Sequence, residues 1–155
     1  MLYAIRPMRN SDARQIAQWH YSAPYTFYDL KSDVKDYEEF LDFTNWQPDS
    51  KFSAVDDQGE VVGFFEFFHH DGVLQIGLGL HPDLTRRGDG LSFVMAGLSF
   101  ATNKFALKLF KLSVATFNVR AIKVYERAGF RETRTFWNEI NSSVYEFVEM
   151  SREPL

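Results

Sequence analysis

The sequence predicts one α/β domain over residues 1–155, with a mixed, mostly antiparallel sheet of about seven strands flanked by about four helices. Three observations predict this fold class. A chain of 155 residues has the usual size of a single domain. Its composition, 45% hydrophobic and 17% aromatic, suits a substantial packed core. Two turn signals separate three consecutive strand patterns, and strands alternate with helices after them.

The N-terminal third predicts one strand followed by two helices. Residues 2–6 form a short strand pattern that Pro7 ends, and Ser11 is placed to cap a helix from residue 12 to about residue 21. An aromatic loop follows at residues 22–30. Ser32 is then placed to cap a second helix, whose apolar residues follow helical spacing. Both helices therefore precede most of the sheet.

The middle of the chain predicts an antiparallel meander. Strand patterns at residues 51–55, 61–68 and 73–80 are separated by turn signals at residues 56–59 and 71–72. In the third strand, leucine and isoleucine alternate with residues that include Gly77 and Gly79. One face of that strand is therefore packed, while the other is open to close approach by a ligand. The alternative is that the glycines only relieve a crowded sheet.

The C-terminal half predicts a crossover and a final strand pair. A helix at residues 90–105 leads to a strand at residues 109–116, which favours parallel pairing with the meander. Asn118 is placed to cap the next helix, and Gly129 is placed to end it. Strands at residues 130–136 and 144–151 are joined by a polar turn at residues 138–143.

Composition excludes several functional classes. A net charge of −4 argues against binding of nucleic acid. The absence of cysteine excludes disulfides and thiolate metal sites and favours the cytoplasm. The longest apolar stretch, at residues 91–101, is too short to span a membrane, and the N-terminus has no secretory pattern. We expect no metal, because His69 and His70 beside Asp71 look like turn residues.

A glycine-containing loop at residues 85–92 carries the strongest chemical signal. It lies between a strand and a helix, with Gly88 and Gly90 where the backbone can approach a ligand and Arg86 and Arg87 beside them. Amides at a helix N-terminus bind anions, so the pattern predicts a site for a pyrophosphate or a similar anion. The loop lacks the Lys-Ser/Thr pair of a P-loop and the third glycine of a dinucleotide fold. The alternative is a glycine-rich turn that merely starts a helix.

Two blocks of this sequence resemble the GNAT family of N-acetyltransferases. The segment from Thr85 to Gly90 is similar to the family pattern Gln/Arg-x-x-Gly-x-Gly/Ala, except that threonine stands first. The segment from Asn118 to Phe130 is similar to the family pattern Asn-x-x-Ala-x-x-x-Tyr-x-x-x-Gly-Phe. The Asn118 block and the opening Ile5-Arg6-Pro7 also resemble the ribosomal-protein alanine and aminoglycoside 6′-acetyltransferases. The resemblance implies the GNAT fold, with a sheet splayed at its central strands.

The resemblance also implies acetyl-CoA as co-substrate and assigns residues to it. The main chain of Leu78 and Leu80 would hold the pantetheine arm, and the loop before the third helix would hold the pyrophosphate. The implied coenzyme contacts are Leu78, Leu80, Arg86, Arg87, Gly88, Asp89, Gly90, Leu91, Ser92, Asn118 and Tyr125.

Candidate catalytic residues follow from the needs of acyl transfer to an amine. The resemblance implies that Tyr125 protonates the departing thiolate, and a phenol is protonated at neutral pH. The alternative is that Tyr125 is a core residue. Glu66 is the candidate base, and the alternative is that it lies at a solvated edge; His81 and Glu139 are poorer candidates. Because the chain has no cysteine for an acyl-enzyme, we expect direct transfer.

The acceptor is expected to be a primary amine of a small molecule or of a peptide or protein N-terminus. Candidate contacts are Trp19, Tyr25, Tyr28, Asp29 and Gln75, since aromatic rings beside an acid suit a cationic amine. The alternative is that these rings simply cover the hydrophobic end of the sheet. A homodimer is possible and a membrane partner is not expected. The rival hypothesis is a non-catalytic acyl-CoA-binding or sensing module of the same fold.

Overall fold

The computed structural model describes residues 2–140 and 142–155. This part of the chain forms seven strands and four α-helices, together with short 3₁₀ turns. The strands are β1 (Ala4–Pro7), β2 (Lys51–Val55), β3 (Val61–His70), β4 (Val73–Leu80), β5 (Leu109–Ala115), β6 (Arg131–Ile140) and β7 (Ser143–Arg152). The helices are α1 (Asn10–Ile16), α2 (Val34–Phe40), α3 (Gly90–Lys104) and α4 (Val119–Arg127). The predicted fold class is confirmed.

The strands form one sheet in the order β1-β2-β3-β4-β5-β7-β6. All neighbours are antiparallel except β4 and β5, which are parallel as the α3 crossover predicts. That parallel pairing covers only residues 73–75 of β4 and residues 109–111 of β5. In the described part of the chain, the rest of β4 has no strand beside it on the β5 side, so the sheet splays open at its centre.

The register of β3 and β4 determines which backbone groups face this opening. The His81 amide donates to the Val62 carbonyl at 2.8 Å, and Leu80 is paired with Gly63 and Leu78 with Phe65. Hydrogen-bonded and non-bonded pairs alternate along an antiparallel ladder. The pairs of Leu80 and Leu78 are therefore non-bonded ones. Their N–H and C=O groups point away from β3 and into the splay.

The core lies on both faces of the sheet. The aromatic and aliphatic side chains of α3 pack against one face, where Phe93 stacks on Phe65 with ring centroids 4.5 Å apart. Gly97 allows this contact, because a Cβ at that position would collide with the Phe65 ring. A second cluster, centred on Ile16 and Phe40, holds α1 and α2 against the other face.

Both predicted serine caps are wrong. Helix α1 begins at Asn10 and ends at Ile16, and the Asp12 carboxylate accepts from the Arg9 amide at 2.9 Å. Helix α2 is capped by Asp33, whose carboxylate accepts from two amides of the first turn. Ser32 instead donates its hydroxyl to carbonyls of the preceding loop. In both cases a carboxylate next to the serine supplies the stronger acceptor.

The caps of α4 are confirmed. The Asn118 side chain accepts from the Ala121 amide at 3.2 Å, and Gly129 follows the helix with φ of +93°. The last hairpin is longer than predicted, because β6 runs to Ile140 and β7 starts at Ser143. The polar turn predicted for residues 138–143 is therefore mostly strand, since paired backbone outweighs weak strand propensity there. Asn141 lies outside the described residues.

Candidate active site

A cleft of about 550 Å³ opens where β4 and β5 separate. One wall consists of the end of β4, the loop at residues 85–92, and the N-terminal parts of α3 and α4. The other wall consists of the end of α1 and the aromatic segment after it. The residues singled out from the sequence that line the cleft are Trp19, Tyr25, Tyr28, Glu66, Leu78, Leu80, Arg86, Gly88, Gly90, Leu91, Asn118 and Tyr125.

The loop at residues 85–92 has the backbone conformation of an anion-binding turn. Arg86 and Gly88 have φ of +69° and +81°, and a Cβ on Gly88 would meet nothing within 4 Å. The Phe93 amide makes the first helical bond of α3, to the Asp89 carbonyl at 3.0 Å. The amides of Gly90, Leu91 and Ser92 precede it and have no helical acceptor. Free amides at the positive end of a 15-residue helix suit a bound anion.

Three residues of this loop do not line the cleft with the others. Arg87 is exposed, and Asp89 and Ser92 serve the start of α3, where the Ser92 hydroxyl donates to the Asp89 carbonyl at 3.0 Å. The coenzyme contacts expected from Arg87, Asp89 and Ser92 are contacts of their main-chain amides, and these stay a prediction.

Tyr125 lies at the bottom of the cleft, on α4. Burial raises the pKa of the Tyr125 phenol well above its usual value, and the nearby Tyr28 acts in the same direction. Tyr28 is positioned by Asn118, whose side-chain amide donates to the Tyr28 hydroxyl at 3.2 Å. Asn118 thus caps α4 and connects that helix to the aromatic segment. Tyr125 therefore carries a proton throughout the neutral pH range.

Tyr21 joins the two walls and was missed by the sequence analysis. Its hydroxyl donates to the Leu80 carbonyl at 2.7 Å, one of the groups that face the splay. Burial raises the pKa of Tyr21, and the negative charge of Asp29 adds to this effect. No spacing signal could have identified Tyr21, because α1 ends at Ile16 and helical periodicity does not extend to it.

Asp29 does not line the cleft, which corrects the expectation that it contacts the amine. Its carboxylate accepts from the Tyr21 amide at 2.8 Å and lies 2.6 Å from Nδ1 of His20. Both carboxylate oxygens are thus used within the segment. Asp29 holds the aromatic segment in its fold and thereby orients Tyr21.

Gln75 is also outside the cleft, contrary to expectation. It lies at the paired end of β4, opposite Phe68, and lines a separate cavity with Lys111 and Glu149. The splay begins only after residue 75, so Gln75 is on the closed side of the opening. The poorer base candidates are likewise elsewhere: His81 accepts from the Asp83 amide at 3.1 Å, and Glu139 is exposed on the edge strand β6.

Glu66 lies on the cleft wall in an ion pair. Its Oε2 atom is 3.0 Å from Nζ of Lys51, whose side chain is only 10% exposed. The Lys51 ammonium also lies over the Trp46 ring, 5.5 Å from its centroid. Oε1 is the oxygen of Glu66 that this pair leaves for another partner.

Charges near the acceptor wall have both signs. Partial burial raises the pKa of Asp36 on α2, and the neighbouring carboxylates Asp33, Glu39 and Glu66 raise it further. On the opposite rim, the Arg120 guanidinium lies over the Tyr25 ring, 4.1 Å from the centroid.

Within residues 2–140 and 142–155, no set of three or more His, Cys, Asp or Glu side chains is grouped as a metal site requires. None of the helices in this part of the chain combines the length and apolar character needed to cross a membrane.

Comparison with known proteins gives a family match. The model of an acetyltransferase (GNAT) domain matches residues 4–131. No curated protein matches the chain significantly. The family model does not distinguish the ribosomal-protein alanine or aminoglycoside branch, which stays a prediction.

Solved structures share the fold over nearly the whole chain. Spermidine N-acetyltransferase from Vibrio cholerae, in complex with CoA and spermine, is 19% identical, with a TM-score of 0.80 over 98% of this chain and 95% of that one. A chimera of the Vibrio cholerae enzyme is 18% identical, with a TM-score of 0.81 over 99% and 96%. A GNAT-family acetyltransferase from Bacillus anthracis is 15% identical, with a TM-score of 0.77 over 99% and 95%.

Proposed function

This chain belongs to the GNAT family of acetyltransferases, and we propose that it transfers the acetyl group of acetyl-CoA directly to a primary amine of a small molecule or of a peptide N-terminus. One observation carries the proposal. A protonated phenol, Tyr125, lies in a cleft between an anion-binding loop and an aromatic wall that includes a carboxylate.

The residues present fit the coenzyme. The free amides at the start of α3 suit a pyrophosphate, and the open space around Gly88 allows phosphates to approach the main chain. The outward N–H groups of Leu78 and Leu80 are available to an extended arm with amide groups. When bound, acetyl-CoA supplies an activated acetyl thioester.

Backbone donors at the splay can stabilise the charge that develops during acyl transfer. Negative charge accumulates on the carbonyl oxygen as an amine attacks it. The amides of Leu78 and Leu80 are held rigidly by the β3–β4 ladder and face the opening. One donor of this kind typically contributes roughly 10²–10³ to the rate.

Proton transfers fall to Tyr125 and Glu66. Tyr125 keeps its proton on Oη at neutral pH, so it can donate to a departing thiolate as a general acid. An alkylamine with a pKa of about 10.4 arrives protonated. Glu66 attracts that ammonium and accepts its proton on Oε1, directly or through water, while Lys51 holds Oε2. Glu66 thus serves as both binding group and base.

Release of free CoA thiol tests this function. Acetyl-CoA is mixed with a panel of amines, including a peptide N-terminus, an alkylamine, a polyamine and an aminoglycoside. We expect thiol release that depends on the amine, with intersecting lines in initial-velocity plots as direct transfer requires. Parallel lines would contradict direct transfer. Tight coenzyme binding without amine-dependent release would support the sensing module instead.

A further inference from the structure

We propose that the preferred acceptor carries a single cationic nitrogen on an apolar or aromatic body, and that amines with a second ammonium group are disfavoured. The inference rests on the proposed function and names the substrate class of the same cleft. It follows from which side chains form the acceptor wall and from the charges they carry.

The acceptor wall is almost entirely apolar. It is formed by Trp19, Tyr25, Tyr28, Leu30 and Phe64, with Ile16 behind them. Tyr28 Oη accepts from the Asn118 side-chain amide, and the Tyr25 ring lies beneath the Arg120 guanidinium. Such a surface gains free energy by burying apolar or aromatic groups of a ligand.

A single carboxylate faces this space. Among the described residues that line the cleft, Glu66 is the only acid, and Lys51 already neutralises part of its charge. One free carboxylate oxygen suits one ammonium group. A second ammonium would lose its hydration in the cleft without gaining a partner, and an unpaired buried charge is strongly unfavourable.

A positive charge stands where a longer polycation would extend. Arg120 lines the cleft and lies over Tyr25, and Arg127 also lines the α4 wall. Like charges at short range disfavour binding. The acids of α2, including Asp36, do not line the cleft. Because they lie outside the cleft, they offer no partner to a second ammonium group of a bound amine.

Matched amines test the inference on the full chain. Butylamine and putrescine have the same carbon chain and differ in one ammonium group, and phenethylamine adds an aromatic body. We expect kcat/KM for butylamine to exceed that for putrescine at least about tenfold, with phenethylamine higher still. Calorimetric binding of the three amines to the CoA-saturated protein is measured in parallel, because binding is independent of turnover.

The outcomes separate this inference from the proposed function. If putrescine is acetylated as well as butylamine or better, the inference is overturned while the proposed function stands. If phenethylamine binds and putrescine does not, yet no amine is acetylated, the preference of the cleft holds and the proposed function fails. Binding of none of the three amines overturns the inference.

A charge-removing variant tests the part assigned to Arg120. R120Q is expected to narrow the gap between butylamine and putrescine several-fold, because it removes the like charge beside Tyr25. R131Q, on the exposed edge strand β6, is the matched control and leaves the gap unchanged. An equal effect of the two variants would overturn the role of Arg120.

Discussion

The two walls of the cleft recognise their ligands by different means. The coenzyme wall presents main-chain groups, namely the amides before Phe93 and the outward groups of Leu78 and Leu80. The acceptor wall presents side chains, mostly rings, and one carboxylate. Main-chain recognition requires particular backbone conformations and hence glycine at certain positions. Side-chain recognition sets no such requirement, so its residues follow no fixed spacing.

The largest effect on turnover is expected at Tyr125, in the cleft between the two walls. Y125F removes the proton that Tyr125 holds at neutral pH and should lower kcat by about 10² or more, as loss of a general acid does. Coenzyme affinity, measured by calorimetry, should change little. Y145F is the control. Tyr145 lies on β7, packs against Phe27 and does not line the cleft. Unchanged turnover in Y125F would remove Tyr125 from the mechanism.

A second pair of variants tests whether the coenzyme wall acts through its backbone. Gly88 and Gly59 have φ of +81° and +79°, and neither has an atom near an added Cβ. Alanine therefore introduces the same strain at both positions, about 1–2 kcal/mol. Both G88A and G59A should lower Tm by a few degrees.

Coenzyme binding distinguishes these two glycine variants. Only G88A should weaken CoA binding in calorimetry, by about tenfold, because only that loop lies at the anion site. G59A lies in the turn between β2 and β3 and should bind normally. Equal affinities in both variants would mean that the loop at residues 85–92 does not hold the phosphates.

Loss of the hydrogen bond between the two walls should have a smaller effect on kcat/KM. Y21F deletes the hydrogen bond to the Leu80 carbonyl, which is worth about 0.5–1.5 kcal/mol. We expect kcat/KM to fall by about three- to tenfold, with effects on both the amine and acetyl-CoA. Y37F, on α2 against the apolar cluster of Ile16 and Phe40, is the control. An effect confined to one substrate would show that the walls are independent.

The smallest effect is expected at acidic pH and concerns Asp12 on α1, the helix whose end forms part of the acceptor wall. Burial alone would raise the pKa of Asp12, but hydrogen bonds from Arg6, the Arg9 amide and Ser53 lower it overall. Because the pKa is lower in the folded protein, the stabilisation is present at neutral pH and is lost as pH falls below about 4. The Tm difference between wild type and D12N should therefore shrink on acidification. A constant difference would contradict this linkage.

The comparison of the walls also explains what the sequence could predict. The loop at residues 85–92 and the Asn118 cap were identifiable because glycine and asparagine meet local backbone needs. The aromatic segment was identified, but its internal contacts were not. Asp29 was expected to meet the amine, yet it bonds to Tyr21 and His20 nine or fewer residues away. Gln75 was misplaced because strand alternation does not reveal where pairing stops.

Tyr21 and the Glu66–Lys51 pair illustrate a further limit. The Tyr21 hydroxyl meets the Leu80 carbonyl across 59 residues of sequence. Lys51 and Glu66 meet through the register of β2 and β3, which the hairpin pattern predicts only approximately. Contacts of this kind depend on tertiary packing, and local sequence patterns do not encode them.

The brief parallel pairing of β4 and β5 has a consequence for stability. In the described part of the chain, three residue pairs join β4 to β5 along that seam, and the N–H groups of Leu78 and Leu80 beyond them face no strand. A ligand lying along the seam would bridge the two halves of the sheet. Any molecule that binds only the folded state raises the melting temperature of the protein. The stability of the folded protein would then rise with the concentration of its own substrate.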